Sequence, residues 1–233
     1  MNLNLHVVLI IFQIVVLLFA ISLHEAAHAW MAWRLGDPTA RMLGRVTLNP
    51  LRHMELFGTV LIPLMCVYFG FPLIGWAKPT PVTTRNFKNI KRDDILTTLA
   101  GPASNLLMAI AALVVLVVLK FVDARTVLTI VMAAQAGMID AVAMNGSPVL
   151  VPVTLLMYYA VLLNLMLMAF NLIPVPPLDG SHVLRHMLPY NWLRFYDRIG
   201  MIGMFLVFLF GGRWIQEVVS IFLAIFNHVL IAL

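Results

Sequence analysis

VVLIIFQIVVLLFAISLHEAAHAWMAW, residues 7–33, decides the class of this fold. As a helix it would run about 40 Å, longer than the roughly 30 Å hydrocarbon core of a bilayer. Only Gln13, Ser22 and the group His24-Glu25-His28 interrupt it. The rest of the chain has the same character. Of its 233 residues, 62% are hydrophobic and 11% charged, with a mean hydropathy of +0.98. Soluble domains are about 45–50% apolar and about 25% charged. A soluble fold of this size would expose its surplus apolar residues as an open patch. This excludes a soluble enzyme, a nucleic-acid-binding domain and a disordered chain. The runs are also too long and continuous for barrel strands. The expected class is an all-α polytopic membrane protein.

Working outward from residues 7–33, further apolar runs occupy residues 56–75, 94–121, 126–144, 148–173 and 199–231. That gives four to six membrane segments. Residues 56–75 contain Gly58, Pro63, Gly70 and Pro72, and 126–144 are interrupted by Gln135, Gly137 and Asp140, so whether either spans is open. Asp93 or Asp94 is expected to cap the helix over 94–121, and Gly211, Gly212 and Arg213 to break the last span. Residues 1–23 lack a basic n-region and a cleavage site and read as a retained helix rather than a signal peptide. The net charge of +5 resides in loops beside apolar runs, the positive-inside pattern, and not in a nucleic-acid footprint. The lone cysteine, Cys66, lies in an apolar run and reads as a buried, inert thiol.

His24-Glu25-Ala26-Ala27-His28 fits H-E-x-x-H. On a helix, i and i+4 share one side, so two imidazoles can hold one Zn²⁺ while the adjacent Glu25 takes a proton from the attacking water. The chain has only Glu25, Glu55 and Glu217 as glutamates. Placing one of them between two histidines in an apolar helix costs about 2.5–3.5 kcal/mol on insertion scales, and such a cost accompanies function. The bland alternative is a pair of hydrogen-bonded core histidines, with Glu25 protonated or paired with Arg34. A hydrolytic zinc site needs a third protein ligand. Asp179 is the best candidate, because Pro174, Pro176 and Pro177 break the backbone before it. Broken backbone at membrane depth survives only where protein or a wet cavity surrounds it. An ordinary turn at Asp179-Gly180 is the alternative reading. His182, His186, His53 and Asp140 remain weaker third-ligand candidates.

Three stretches together resemble the site-2 protease family of intramembrane zinc metalloproteases. They are His24-Glu-Ala-Ala-His28 in one membrane helix, Gly101-Pro-Ala-Ser-Asn105 in another, and Asn171-Leu-Ile-Pro-Val-Pro-Pro-Leu-Asp-Gly180 ending a third. The resemblance covers about residues 5–200. It implies His24, His28 and Asp179 as ligands of one Zn²⁺, Glu25 as catalytic base, and Asn105 and Asn171 as polar positions near the active site. Asn171 would help to stabilise the oxyanion. Helix-packing hydrogen bonds are the alternative role for both asparagines. The chain reads as a short form without a PDZ-like or CBS-like domain. It forms a single metalloprotease domain over 1–233, with the catalytic core over about 5–198 and a C-terminal span over about 199–231.

The resemblance implies hydrolysis of peptide bonds in or near transmembrane segments of other membrane proteins. A helical substrate must unwind to be cut, and extended stretches near 43–49 and 75–82 could pair with it as edge strands. The partners are then a transmembrane substrate and the lipid bilayer, not nucleic acid. The competing functions are a metal-ion transporter, disfavoured by the absence of an internal repeat, and a non-catalytic helix-binding scaffold, disfavoured by Glu25. Positive-inside counting on Arg34, Arg41, Arg45 and Arg52 places the end of the first helix in the cytoplasm, expected at the plasma membrane of a prokaryote. Lys78, Arg85, Lys88, Lys91 and Arg92 then require 56–75 to be re-entrant.

Overall fold

The computed structural model describes residues 3–69, 75–139, 147–198 and 200–232. Among these it contains helices and no β-strand. Four helices are long and apolar enough to cross a membrane: α1 (Leu3–Arg34), α4 (Ile90–Val122), α6 (Leu150–Asn171) and α9 (Gly200–Ala232). Shorter elements fill the connections. They are α2 (Thr39–Met42), α3 (Ile62–Phe69), α5 (Ala124–Gln135), α7 (Asp179–Arg185) and α8 (Tyr190–Arg198).

Helices α1, α4 and α6 pack on one another, with α9 against α6. Lipid gives no hydrophobic reward for helix association, so close packing through small residues holds such a bundle. Ala109 and Ala169 are fully buried at these contacts. Larger side chains, including Leu113, Leu116, Tyr158 and Leu165, fill the centre. Polar ties fix α9: Trp214 Nε1 donates to the Ala169 carbonyl at 3.2 Å, and Lys120 Nζ donates to the Leu230 carbonyl at 2.8 Å. α9 runs without interruption through Gly211, Gly212 and Arg213, so the expected break does not occur. In an apolar surrounding no water competes for the helical hydrogen bonds, and the Gly211 Cα faces Val207 and Ile173 closely.

The described part of the segment from residue 56 forms no helix long enough to cross. A π-helical turn, Leu56–Leu61, leads into α3, and together they are too short to span. Glu55 caps the turn by accepting from the N–H groups of Phe57 and Gly58. The chain returns beside its own start. Trp76 N–H donates to the Gly58 carbonyl at 3.1 Å, the Thr59 hydroxyl to the Trp76 carbonyl at 2.8 Å, and Lys78 N–H to the His53 carbonyl at 2.8 Å. A Cβ on Gly75 would stand 2.7 Å from the Gly58 carbonyl oxygen, so the return demands glycine there. Both ends of the segment therefore lie together, as a re-entrant path requires. α5, at about 18 Å, is also too short to span. Residues 140–144 of the run 126–144, including Asp140, fall outside the described residues. The stretches 43–49 and 75–82 form no ladder.

α4 begins earlier than the sequence suggested, and neither Asp93 nor Asp94 is its N-cap. Asn89 is, accepting from Arg92 N–H at 3.1 Å, and Asp93 reaches back to accept from Asn89 N–H at 2.9 Å. This reciprocal pairing is that of a capping box. It leaves Asp94 free of any capping role.

Candidate active site

His24 and His28 lie one turn apart near the end of α1, both buried. Their rings meet edge to face, with centroids 4.6 Å apart and Nε2 atoms 3.0 Å apart. Asp179, the first residue of α7, brings Oδ2 to 3.1 Å from His24 Nε2 and 3.4 Å from His28 Nε2. One ligand atom from each residue lies within 4.8 Å of the others. The Asp179 oxygen is buried, yet it makes no hydrogen bond of acceptable geometry. An orphaned carboxylate oxygen aimed between two imidazole nitrogens fits a cation. Two imidazoles and one carboxylate are a donor set of catalytic zinc sites.

Both imidazoles are held from behind. His28 Nδ1 donates to the Thr97 carbonyl at 2.8 Å, which directs the Nε2 lone pair toward Asp179. Asn105, fully buried, places Nδ2 3.1 Å from His24 Nδ1, while its own Oδ1 has no partner. Thr97, Gly101 and Asn105 follow one stripe of α4. Gly101 has no room for a side chain, since a Cβ would stand 2.6 Å from Cε1 of His24 and of His28. The glycine of Gly101-Pro102 is therefore what lets α4 approach the two rings. Pro102 cannot donate to the Thr98 carbonyl, so the helical ladder is already open beside the Thr97 acceptor.

Glu25 is engaged by the returning chain. Thr80 N–H donates to Glu25 Oε2 at 2.8 Å, and the Thr80 hydroxyl donates to the Glu25 carbonyl at 3.0 Å. Glu25 does not pair with Arg34, whose guanidinium stands over the Trp30 ring. Asp37 anchors the same returning chain. Buried at the turn after α1, it accepts from Thr83 N–H and the Asn86 amide, both at 2.7 Å, and from Thr39. Burial alone would raise its carboxyl, but these donors outweigh burial and hold it below the usual carboxylate range.

The structure thus gathers His24, His28, Asp179 and Asn105. Asn171 is different: its amide donates to the Leu167 carbonyl of its own helix at 3.0 Å. Among the weaker third-ligand candidates, His53 donates to the Thr47 carbonyl at 2.8 Å, and His182 and His186 face Asp94. Sequence reasoning missed Thr97 and Thr80. Their contributions here are backbone groups, or follow from backbone placement, and no side-chain motif reports them.

Residues 12–211 match the family described as Peptidase family M50. The chain belongs to this family, the site-2 proteases. It is by that membership an intramembrane zinc metalloendopeptidase, and neither the transporter nor the scaffold alternative is favoured. "Putative zinc metalloprotease YwhC" of Bacillus subtilis is 34% identical over 180 residues, 76% of this chain and 69% of that one. "Putative zinc metalloprotease Rip2" of Mycolicibacterium smegmatis is 32% identical over 96 residues, 41% of this chain and 36% of its own length. The protein of the same name in Mycobacterium tuberculosis is 27% identical over 176 residues, and the match covers 74% of this chain and 56% of that protein. No solved structure matches the chain.

Proposed function

We propose that His24, His28 and Asp179 hold the catalytic Zn²⁺ and that Glu25 is the general base, in a single domain formed by residues 1–233. The observation that carries this is the convergence of three ligand atoms on a buried point, with each imidazole held at its far nitrogen. When bound, Zn²⁺ acts as a Lewis acid that activates water near neutral pH and polarises the scissile carbonyl. Asn105 would present Oδ1 to His24 Nδ1–H, its amide turned end for end. That turn satisfies the orphaned oxygen and frees His24 Nε2 for the metal. Glu25 accepts the proton of the attacking water and returns it to the leaving amine. Asn171, at the end of α6, is the chain's candidate donor to the developing oxyanion once its amide leaves Leu167.

The substrate is a transmembrane segment of another membrane protein, unwound locally so that a carbonyl leaves its i→i−4 bond. Charge supports a cytoplasmic site. Arg34, Arg41, Arg45 and Arg52 follow α1, Lys78 to Arg92 follow the re-entrant segment, and Arg185, Arg194 and Arg198 follow Asp179. With four crossings, α1 enters, α4 leaves, α6 returns and α9 leaves. This puts the end of α1 and the start of α7 on one side. The bacterial relatives support a prokaryotic plasma membrane. Two experiments test the reading. Co-expression with single-span membrane proteins should yield cleavage products with wild type and none with Glu25→Gln. A cysteine at Lys88, in a chain lacking Cys66, should label from the cytoplasm; labelling only from outside would overturn the topology.

A further inference from the structure

Asp94 is a buried carboxylate that the proposed mechanism does not use and that α4 does not need as a cap. Its Oδ2 lies 2.7 Å from His186 Nε2 and 3.4 Å from His182 Nδ1. His182 lies in α7, which begins at Asp179, and His186 is the C-cap of that helix. Residues 179, 182 and 186 are spaced i, i+3, i+7 and share one face, so the face carrying the metal-facing carboxylate is the face that Asp94 grips. α7 has seven residues and no side-chain N-cap. A helix that short is not stable by itself, so its position must come from outside contacts. Gly180 supplies one, its Cα lying so close to the Leu172 and Ile173 backbone that no side chain fits. Tyr196 supplies another, its hydroxyl lying 3.4 Å from the Ser181 carbonyl of α7 and 2.9 Å from the Pro174 carbonyl before it. Asp94 supplies the polar one. On α4 it precedes Thr97, Gly101 and Asn105 along the same stripe.

We propose that Asp94, acting through His186 and His182, is a positioning residue for Asp179, so that one stripe of α4 places all three zinc ligands. Thr97 orients His28, Asn105 orients His24, and Asp94 sets the helix that delivers Asp179. The proposal rests on the reading of His24, His28 and Asp179 as the zinc site. A buried carboxylate without partners is costly, so Asp94 and the histidines hold each other only while α7 is docked.

The test uses the full chain in detergent and two readouts: Zn²⁺ affinity by competition with a chelator, and thermal unfolding of the metal-free protein. Asp94→Ala and His186→Leu should each weaken zinc by about 10–100-fold, the range for partners behind metal ligands. The double variant should be no worse than the weaker single, because both remove one contact. His186→Gln, which keeps a side-chain N–H donor, should recover most of the affinity. Asp93→Ala is the structural control: it removes the acceptor of the Asn89 N–H, loosens the α4 cap and should lower the unfolding temperature without moving zinc affinity. Zinc affinity within twofold of wild type in both Asp94→Ala and His186→Leu overturns the proposal. So does additivity in the double variant, or a second zinc equivalent lost with His186, which would make the trio a metal site of its own. If wild type binds no zinc, or Asp179→Ala binds it as tightly as wild type, the zinc-site reading itself falls and this proposal with it.

Discussion

Replacing Gly101 with alanine should weaken this protein's hold on zinc while leaving it folded. The added methyl would stand 2.6 Å from Cε1 of both His24 and His28. Ordinary carbon contacts are about 3.5–4.0 Å, so each ring must withdraw by about 1 Å. Zinc sites tolerate ligand displacements of only about 0.2 Å. Overpacking of this kind costs about 1–3 kcal/mol. If that strain falls on the zinc-bound state, affinity drops by about 5- to 140-fold at 1.4 kcal/mol per tenfold. Without zinc no metal bond fixes the rings, so metal-free unfolding should change less than zinc affinity does. Gly212→Ala is the matched control, since its Cβ meets nothing within 4 Å. Chelator competition measures the affinity, and cleavage of a co-reconstituted single-span substrate should fall with it. A folded Gly101→Ala protein that binds zinc within twofold of wild type would refute the contact argument and the claim that α4 abuts the metal site.

Three further outcomes are expected. Glu25→Gln should keep its zinc and lose at least about a hundredfold in cleavage rate, because the amide cannot accept the proton while the ligands are untouched; normal turnover would remove Glu25 from the mechanism. His24→Ala, His28→Ala and Asp179→Ala should each lower the zinc content measured by elemental analysis, and a strong chelator should abolish wild-type cleavage until Zn²⁺ is restored. Asp37 should make folding acid-sensitive. Its folded carboxyl sits below the unfolded value of about 3.9. Its contribution is therefore complete above about pH 4 and is lost as pH falls through the folded value. The stability gap between wild type and Asp37→Asn, followed by thermal unfolding across pH, should narrow in that acid range; a gap constant down to acid pH would show that the carboxylate charge does not matter.

What could be read from the sequence was what local periodicity and residue rarity encode. His24 and His28 sit at helical spacing in a run too apolar to hold them idly, and Asp179 follows prolines that forbid an ordinary helix. Basic residues on both flanks of 56–75 argue for a re-entrant path, and the pairing of Trp76 with Gly58 agrees with it. What escaped was non-local. Asp93 and Asp94 are neighbours in sequence, but consecutive helical residues point about 100° apart. One therefore closes the helix start, while the other meets histidines 88 and 92 residues away. No local pattern separates them. The Thr97 carbonyl and the Thr80 N–H are backbone groups, and every residue but proline owns both kinds. Gly211 and Gly212 misled for the opposite reason. Their local preference is for breaking helices, yet the apolar surround enforces the hydrogen bonds that water would compete for.

The returning chain over residues 77–83 limits how a strand could pair beside Glu25. Pro79 and Pro81 have no N–H, Lys78 gives its own to His53, and Thr80 gives its own to Glu25. Residues 78–81 therefore offer a substrate strand carbonyl acceptors but no free donor. A full ladder along this stretch would require Thr80 to leave the carboxylate. The same N–H that would pair with substrate is the one that now holds Glu25 Oε2. Substrate pairing at Thr80 would thus release the Glu25 side chain at the moment an unwound segment lies beside it. The prolines make this coupling specific: with neighbouring N–H groups present, a strand could dock without disturbing Glu25.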